Sequence, residues 1–290
     1  MIDTKKSRND KAKVALNFQR GGVYIALIVI TFLCLFSFYI LIVNSTRSHP
    51  DIAKGFSFIF GGSLLNNLNN IVHNSDLPVL YGLRNSCIIS GSVAVITVYF
   101  SALTAYSIYA YNFKFKNLAY TFILLVMMIP NQVSALGFLQ LMDNFHMMNS
   151  FWPLILPAIA SPIVFFFMIQ YMKSALPLEI IEAARIDGSS EFRTFNRIVL
   201  PILKPAMAVQ AIFSFVAAWN NFFLPMLILE SPQNKTLPIL IALLRSADYL
   251  KFDMGQIYMM IFIAIVPIIV VYIFLSRYIV RGITLGSIKG

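Results

Sequence analysis

An all-α polytopic membrane protein with six transmembrane helices is the fold the sequence predicts, and three observations carry it. Of the 290 residues, 59% are hydrophobic and only 12% are charged, about half the charged share of an ordinary soluble domain. The uncharged residues gather in six runs, each near the roughly 20 residues that a helix needs to cross the hydrocarbon core. The charge that remains is sided, and its formal net value of +10 falls in alternate connections. These numbers exclude a soluble fold, a disordered chain and a disulfide scaffold.

The runs are Val23 to Val43, Asn85 to Tyr111, Leu118 to Met142, Phe151 to Met172, Ala206 to Leu229 and Ile257 to Ser276. In lipid every backbone amide has to be satisfied within its own segment, so such runs form helices; a barrel would show alternating strands of about ten residues. Basic residues precede the first run, but at about 21 residues it is too long for a secretory signal core, and no small-residue cleavage pattern follows it. It reads as a retained anchor. Cys34 and Cys87 both fall inside spans, which suits neither a metal cluster nor a structural disulfide.

Orientation follows from lysine and arginine, which resist translocation. Sixteen of the 22 lie in the N-terminal segment, the short loop with Lys114 and Lys116, the long loop after Met172 and the C-terminal tail. The six others lie in the opposite connections, and the acidic residues divide evenly. Both termini are therefore expected in the cytoplasm. Residues 1–22 form a cytoplasmic N-terminal segment, 23–281 the transmembrane domain with a cytoplasmic loop at 173–205, and 282–290 a cytoplasmic tail. A nucleic-acid role loses its main support, because the basic excess is topological in origin or serves a cytoplasmic partner.

The loop from Lys173 to Pro205 is far longer than an antiparallel helix pair requires. Pro177 suits a helix start, Glu179 lies near the positive end, and Gly188 after Asp187 suits a left-handed cap. Ser189 or Ser190 can cap a second helix, with Phe192, Phe195, Ile198 and Val199 on one face. Pro201 and Pro205 are expected to close the unit. By periodicity alone this is equally an amphipathic helix resting on the membrane surface.

None of the six runs contains an ionisable group that would serve a proton-driven carrier or an acidic channel ring, and no internal repeat marks a self-contained secondary carrier. Nor do the spans hold the carboxylates or Ser/His pair of a membrane enzyme. They hold amides and aromatics instead: Asn131, Gln132, Gln210, Trp219, Asn220 and Asn221. Amides bond hydroxyls without demanding charge and an aromatic face stacks on a sugar ring, although the same amides can equally bond neighbouring helices. His49, His73 and His146 are widely separated along the chain. No Gly-Lys-Ser or Gly-Lys-Thr occurs, so the chain carries no phosphate-cradling loop and binds no ATP of its own.

The string Glu182-Ala183-Ala184-Arg185-Ile186-Asp187-Gly188, followed by Phe195, Ile198, Leu200-Pro201 and Pro205, resembles the EAA loop of ABC-importer permeases. Met128-Ile129-Pro130, Trp219-Asn220-Asn221 with Pro225, and the ending Gly282 to Gly290 are similar to the MalG-type branch that imports carbohydrates. Asn221 stands where an acidic residue is common, and Ser189 where alanine is. The resemblance implies a MetI/MalG-like type I importer fold and a transport subunit rather than an enzyme, in the cell membrane of a bacterium or archaeon. It implies that Glu182, Ala183, Ala184, Asp187 and Gly188 dock into an ATPase, with Lys289 and Gly290 of the tail as a second contact. The implied partners are a second homologous permease, two ATP-binding subunits that hold ATP and Mg, an extracytoplasmic solute-binding protein and membrane lipid. The implied cargo is a sugar or oligosaccharide, with glycerol phosphate or another polyol derivative as the alternative. The loop from Glu230 to Gln256 would face the binding protein.

Overall fold

A computed structural model describes residues 2–74, 77–246 and 253–286, with side chains described for 20–74, 77–130, 132–246 and 253–276. No strand occurs among the described residues. Among the described residues, five helical stretches are long and apolar enough to cross a membrane: Arg20–Ser45, Val79–Ala110, Trp152–Ala175, Glu191–Trp219 and Met254–Ser276. The chain divides into two units, Met1–Asn70 with Asp253–Phe262, and Ile71–Phe252 with Ile263–Gly290.

In the first unit, helix α1 (Ile2–Ser45) includes the expected N-terminal segment as well as the first span, followed by α2 (His49–Ala53) and α3 (Leu64–Val72). Just beyond the end of α1 stands Arg47, which sequence reading placed among the loop charges. It is 8% exposed. Its guanidinium donates to Asn44 Oδ1 and to the Gly55 carbonyl at 3.1 Å each, and to the Asp51 carbonyl. Asn67 Nδ2 donates to the carbonyls of Ser45 and Arg47 at 2.9 Å. Asn67 thus satisfies a carbonyl left over at the end of α1, while buried Arg47 ties that end to α2 and the Gly55 turn. Phe56 and Phe58 fold back onto Phe36, and Tyr39 Oη donates to the Phe58 carbonyl at 2.6 Å.

The second unit is built on α4 (Val79–Ala110). Then come α5 (Lys116–Val126), α6 (Asn131–Asn144), α7 (Trp152–Ile155), α8 (Pro162–Ala175), α9 (Leu178–Ile186), α10 (Glu191–Thr194), α11 (Leu200–Trp219), α12 (Phe223–Ile228) and α13 (Leu237–Arg245). Helix α14 (Met254–Gly286) begins in the first unit and continues in the second. Helix α4 packs chiefly against α11 and α8. Ser86, Ser90, Ala94, Thr97, Ser101 and Ala105 are all buried, three or four residues apart and so on one face. Small side chains let helices approach closely where lipid supplies no hydrophobic drive between them. Met168, Met172, Phe195, Val199 and Leu203 fill the core against α4, all fully buried.

The third apolar run is not the single helix expected. It divides into α5 and α6 at Pro130, which offers no N–H and sits at φ −65° and ψ 127° before α6. The end of α5 tightens into three-residue turns, Met128 N–H to the Leu125 carbonyl and Ile129 N–H to that of Val126. The ring also disfavours helical geometry at Ile129, so the break falls just before the proline. The fifth region differs in the other direction. Helix runs without interruption from Glu191 to Trp219 through a π segment, Phe195–Val199. Pro201 and Pro205 both lie within this continuous helix, with the π segment directly before Pro201. The second helix expected in the 173–205 loop and the fifth apolar run are therefore one continuous helix.

Candidate functional site

Two features of the second unit have the make-up of functional sites. The first is the hairpin of α9 and α10. Pro177, at φ −62° and ψ 135°, opens α9. Gly188 has φ +74°, its N–H bonds the Arg185 carbonyl, and Ser189 N–H bonds that of Ala184, both at 3.0 Å. This is a Schellman closure, which needs a left-handed residue where glycine is least strained. Ser190 then starts α10 in extended geometry. Ile181 and Ala184, three apart, turn inward and are buried. Glu182, Ala183, Asp187 and Gly188 remain exposed. Ile186 at 86% and Phe192 at 69% exposure stand beside them, an apolar pair that this chain does not cover.

Ion pairing fixes the hairpin's inner side. Arg185 Nε donates to Glu191 Oε1 at 2.7 Å, and Tyr106 Oη donates to Glu191 Oε2 at 2.8 Å. The guanidinium lies 5.0 Å from the centre of the Tyr111 ring. The hydrogen bond to Glu191 pushes Arg185 above its ordinary value, so it stays charged. Tyr109 Oη donates to the Leu176 carbonyl at 2.7 Å, just before α9.

The second feature is a cavity of about 640 Å³ among α4, α5, α6, α8, α11 and α12. Its polar lining is Thr97, Gln132, Ser161, Ser214 and Asn221, set among Ile89, Val93, Pro157 and Pro225. None of the described residues lining it is charged. The break at Pro130 and the end of α11 at Trp219 place Gln132 and Asn221 there, because each follows the interruption of a span. Hydroxyls and amides with an apolar surround bind a neutral hydroxylated solute and offer nothing to balance a charge.

Residues 97–285 match the family model described as "Binding-protein-dependent transport system inner membrane component". The chain belongs to this family. It is a membrane-embedded permease of the ABC-importer type. It is 35% identical to the arabinooligosaccharides transport system permease protein AraQ of Halalkalibacterium halodurans, over 90% of this chain and 93% of that one. It is 29% identical to the sn-glycerol-3-phosphate transport system permease protein UgpE of Yersinia pestis, over 90% and 94%. Its fold is similar to a chain in the crystal structure of a bacterial ABC transporter involved in the import of the acidic polysaccharide alginate. The TM-score there is 0.76, with 17% identity, covering 88% of this chain and 94% of that one.

Of the amides and aromatics singled out in the permease sequence, Gln132 and Asn221 line the cavity. Gln210 and Trp219 are buried in the helix core, Trp219 stacked on Phe215 at 5.6 Å, and Asn220 is exposed away from the lining. The Asn131 side chain, and Lys289 and Gly290, lie outside the described residues. Ala184 is buried against the chain's own helices. Sequence reading missed Thr97, Ser161 and Ser214, since single hydroxyls in apolar helices carry no signal, and the Glu191 contacts, whose partners lie 85 residues apart. It also missed Asn149, which holds a positive φ of 55°. Asn149 Oδ1 accepts from the N–H groups of Glu230 and Ser231, and its Nδ2 donates to Ser231 Oγ. That ties the turn before α7 to the segment after α12.

Proposed function

We propose that this permease carries an uncharged sugar or oligosaccharide inward, with ATP hydrolysed by separate subunits. The uncharged cavity carries the reading. Thr97, Gln132, Ser161, Ser214 and Asn221 offer donors and acceptors for hydroxyl groups, whereas glycerol phosphate would bring a charge that no lining side chain answers. The similarity to an arabinooligosaccharide permease supports a sugar, and the similarity to a glycerol-phosphate permease is why charge has to decide.

In this reading α5 and α6 together make the sixth crossing, both termini are cytoplasmic, and a second homologous permease completes the pathway. An extracytoplasmic binding protein delivers the solute against the loop from Glu230. Glu182, Ala183, Asp187 and Gly188, with Ile186 and Phe192 between and beside them, dock onto the ATPase, and the C-terminal tail makes a second contact.

The test is uptake by the reconstituted transporter of radiolabelled neutral oligosaccharides against radiolabelled glycerol 3-phosphate. ATP-dependent uptake of a neutral oligosaccharide, with none of the phosphate, is the expected result. Uptake of glycerol 3-phosphate alone would overturn the sugar reading and keep the importer.

A further inference from the structure

Helix α4 is gripped at both ends and lines the cavity between them. At one end Phe195 is fully buried between the rings of Tyr99 and Tyr106, at centroid distances of 5.8 and 5.4 Å. Tyr99 Oη donates to Asn196 Oδ1 at 3.3 Å. At the other end Asn85 Nδ2 donates to the carbonyls of Gln233 and Lys235 at 2.7 and 3.1 Å, and Ser86 Oγ accepts from Leu237 N–H at 2.9 Å. Ile89, Val93 and Thr97 face the cavity from the middle of the same helix.

The weak point of this chain of contacts is the Gly188 turn. A glycine turn between α9 and α10 can absorb a push on α9 by rotating about its own backbone, and the push would then never reach α4. One carboxylate removes that slack. Glu191 stands on α10, takes the Arg185 guanidinium of α9 on Oε1 and the Tyr106 hydroxyl of α4 on Oε2. Three elements thus share a single side chain through charge-assisted bonds, whose directionality resists rotation as well as separation. Arg185 is held a second time by the face of Tyr111.

We propose that Glu191 is a positioning residue that clasps the docking hairpin to α4, so that α9, α10, α4 and the 233–237 segment move as one body when the ATPases close. The proposal rests on the permease reading above. A displacement imposed on α9 then arrives undiminished at the cavity wall and at the outward segment. Without the clasp the ATPases still dock on the open face of the hairpin, but their closure is spent in the Gly188 turn.

The experiment uses the complete transporter, this chain with its second permease and ATPases, in nanodiscs. With Cys34 and Cys87 replaced by serine, spin labels are placed at Glu179→Cys on α9 and Tyr81→Cys near the outward end of α4. The distance between them is measured with ADP and with ATP in the absence of magnesium. In the otherwise unaltered chain the two distances agree to within about 2 Å, the scale of helix shifts inside a packed unit. In Glu191→Ala the distance changes with nucleotide, and ATPase stimulation by the loaded binding protein falls about tenfold, within the usual range of coupling between sites. Tyr106→Phe, which removes one hydroxyl, gives a smaller change, and Arg185→Glu with Glu191→Arg restores the nucleotide-independent distance.

A Glu191→Ala distance as constant as that of the parent overturns the clasp. So does loss of the ATPase subunits from the Glu191→Ala complex, which would make Glu191 a docking or folding residue. If the unaltered chain itself retains no ATPase, the permease reading fails, and the clasp fails with it.

Discussion

Helices α1 and α4 are both long enough to span a membrane, and the more apolar of them is the less buried. The most apolar stretch of α1 has mean hydropathy 2.9 and none of it is buried within the chain, although Val43 at the helix end is, whereas that of α4 has 1.8 and 39% buried. In water the order would be reversed. In lipid the acyl chains are as apolar as leucine, so hydrophobicity gives a helix no reason to seek the interior, and close packing and interhelical hydrogen bonds decide. Helix α4 has the Ser86-to-Ala105 stripe and Asn85; α1 presents Ile25, Ile28, Phe32 and Leu35, each more than half exposed. Burial in this protein therefore follows side-chain size and bonding.

The largest effect is expected from Phe195→Ala, which empties a fully buried site between two α4 tyrosines and should cost about 3–5 kcal/mol, read as a fall in the melting temperature of the solubilised protein. Ala105→Leu adds bulk to a position with no exposure, and overpacking of this kind costs about 1–3 kcal/mol. Asn85→Ala leaves the carbonyls of Gln233 and Lys235 without their donor, at about 1–2 kcal/mol, with faster hydrogen exchange at Leu237 as its local sign. Smallest of all, Ile28→Ala on α1 should stay within about 0.5 kcal/mol in the isolated chain. If Ile28→Ala were as costly as Ala105→Leu, apolarity would be the organising force after all.

The spans and the hairpin were legible in the sequence to different depths. Uncharged runs located the five long apolar helices because charge is excluded from lipid at high cost, but they did not say where helices break. Pro130 divides the third apolar run, while Pro201 and Pro205 lie within a helix that stays continuous through a π segment, and the residue pattern alone does not separate the two outcomes. The α9 turn was readable to the residue, since Gly188 after Asp187 takes the left-handed backbone of a helix cap without steric cost. Phe192, expected on one face with Phe195, Ile198 and Val199, is exposed, whereas Phe195 and Val199 are fully buried. Cavity hydroxyls and the Glu191 clasp were not readable, because both arise where residues distant in sequence converge.

Docking of the hairpin on an ATPase is the claim on which the transport account depends most. It is tested by purifying the tagged permease with its ATPase subunits after deleting Glu182 to Gly188, beside the double variant Ile186→Asp with Phe192→Asp. Both altered chains should insert in the membrane in normal amount and bring down less than about a tenth of the ATPase, as expected when a central docking element loses its anchors. Full ATPase recovery with the deletion would contradict the account.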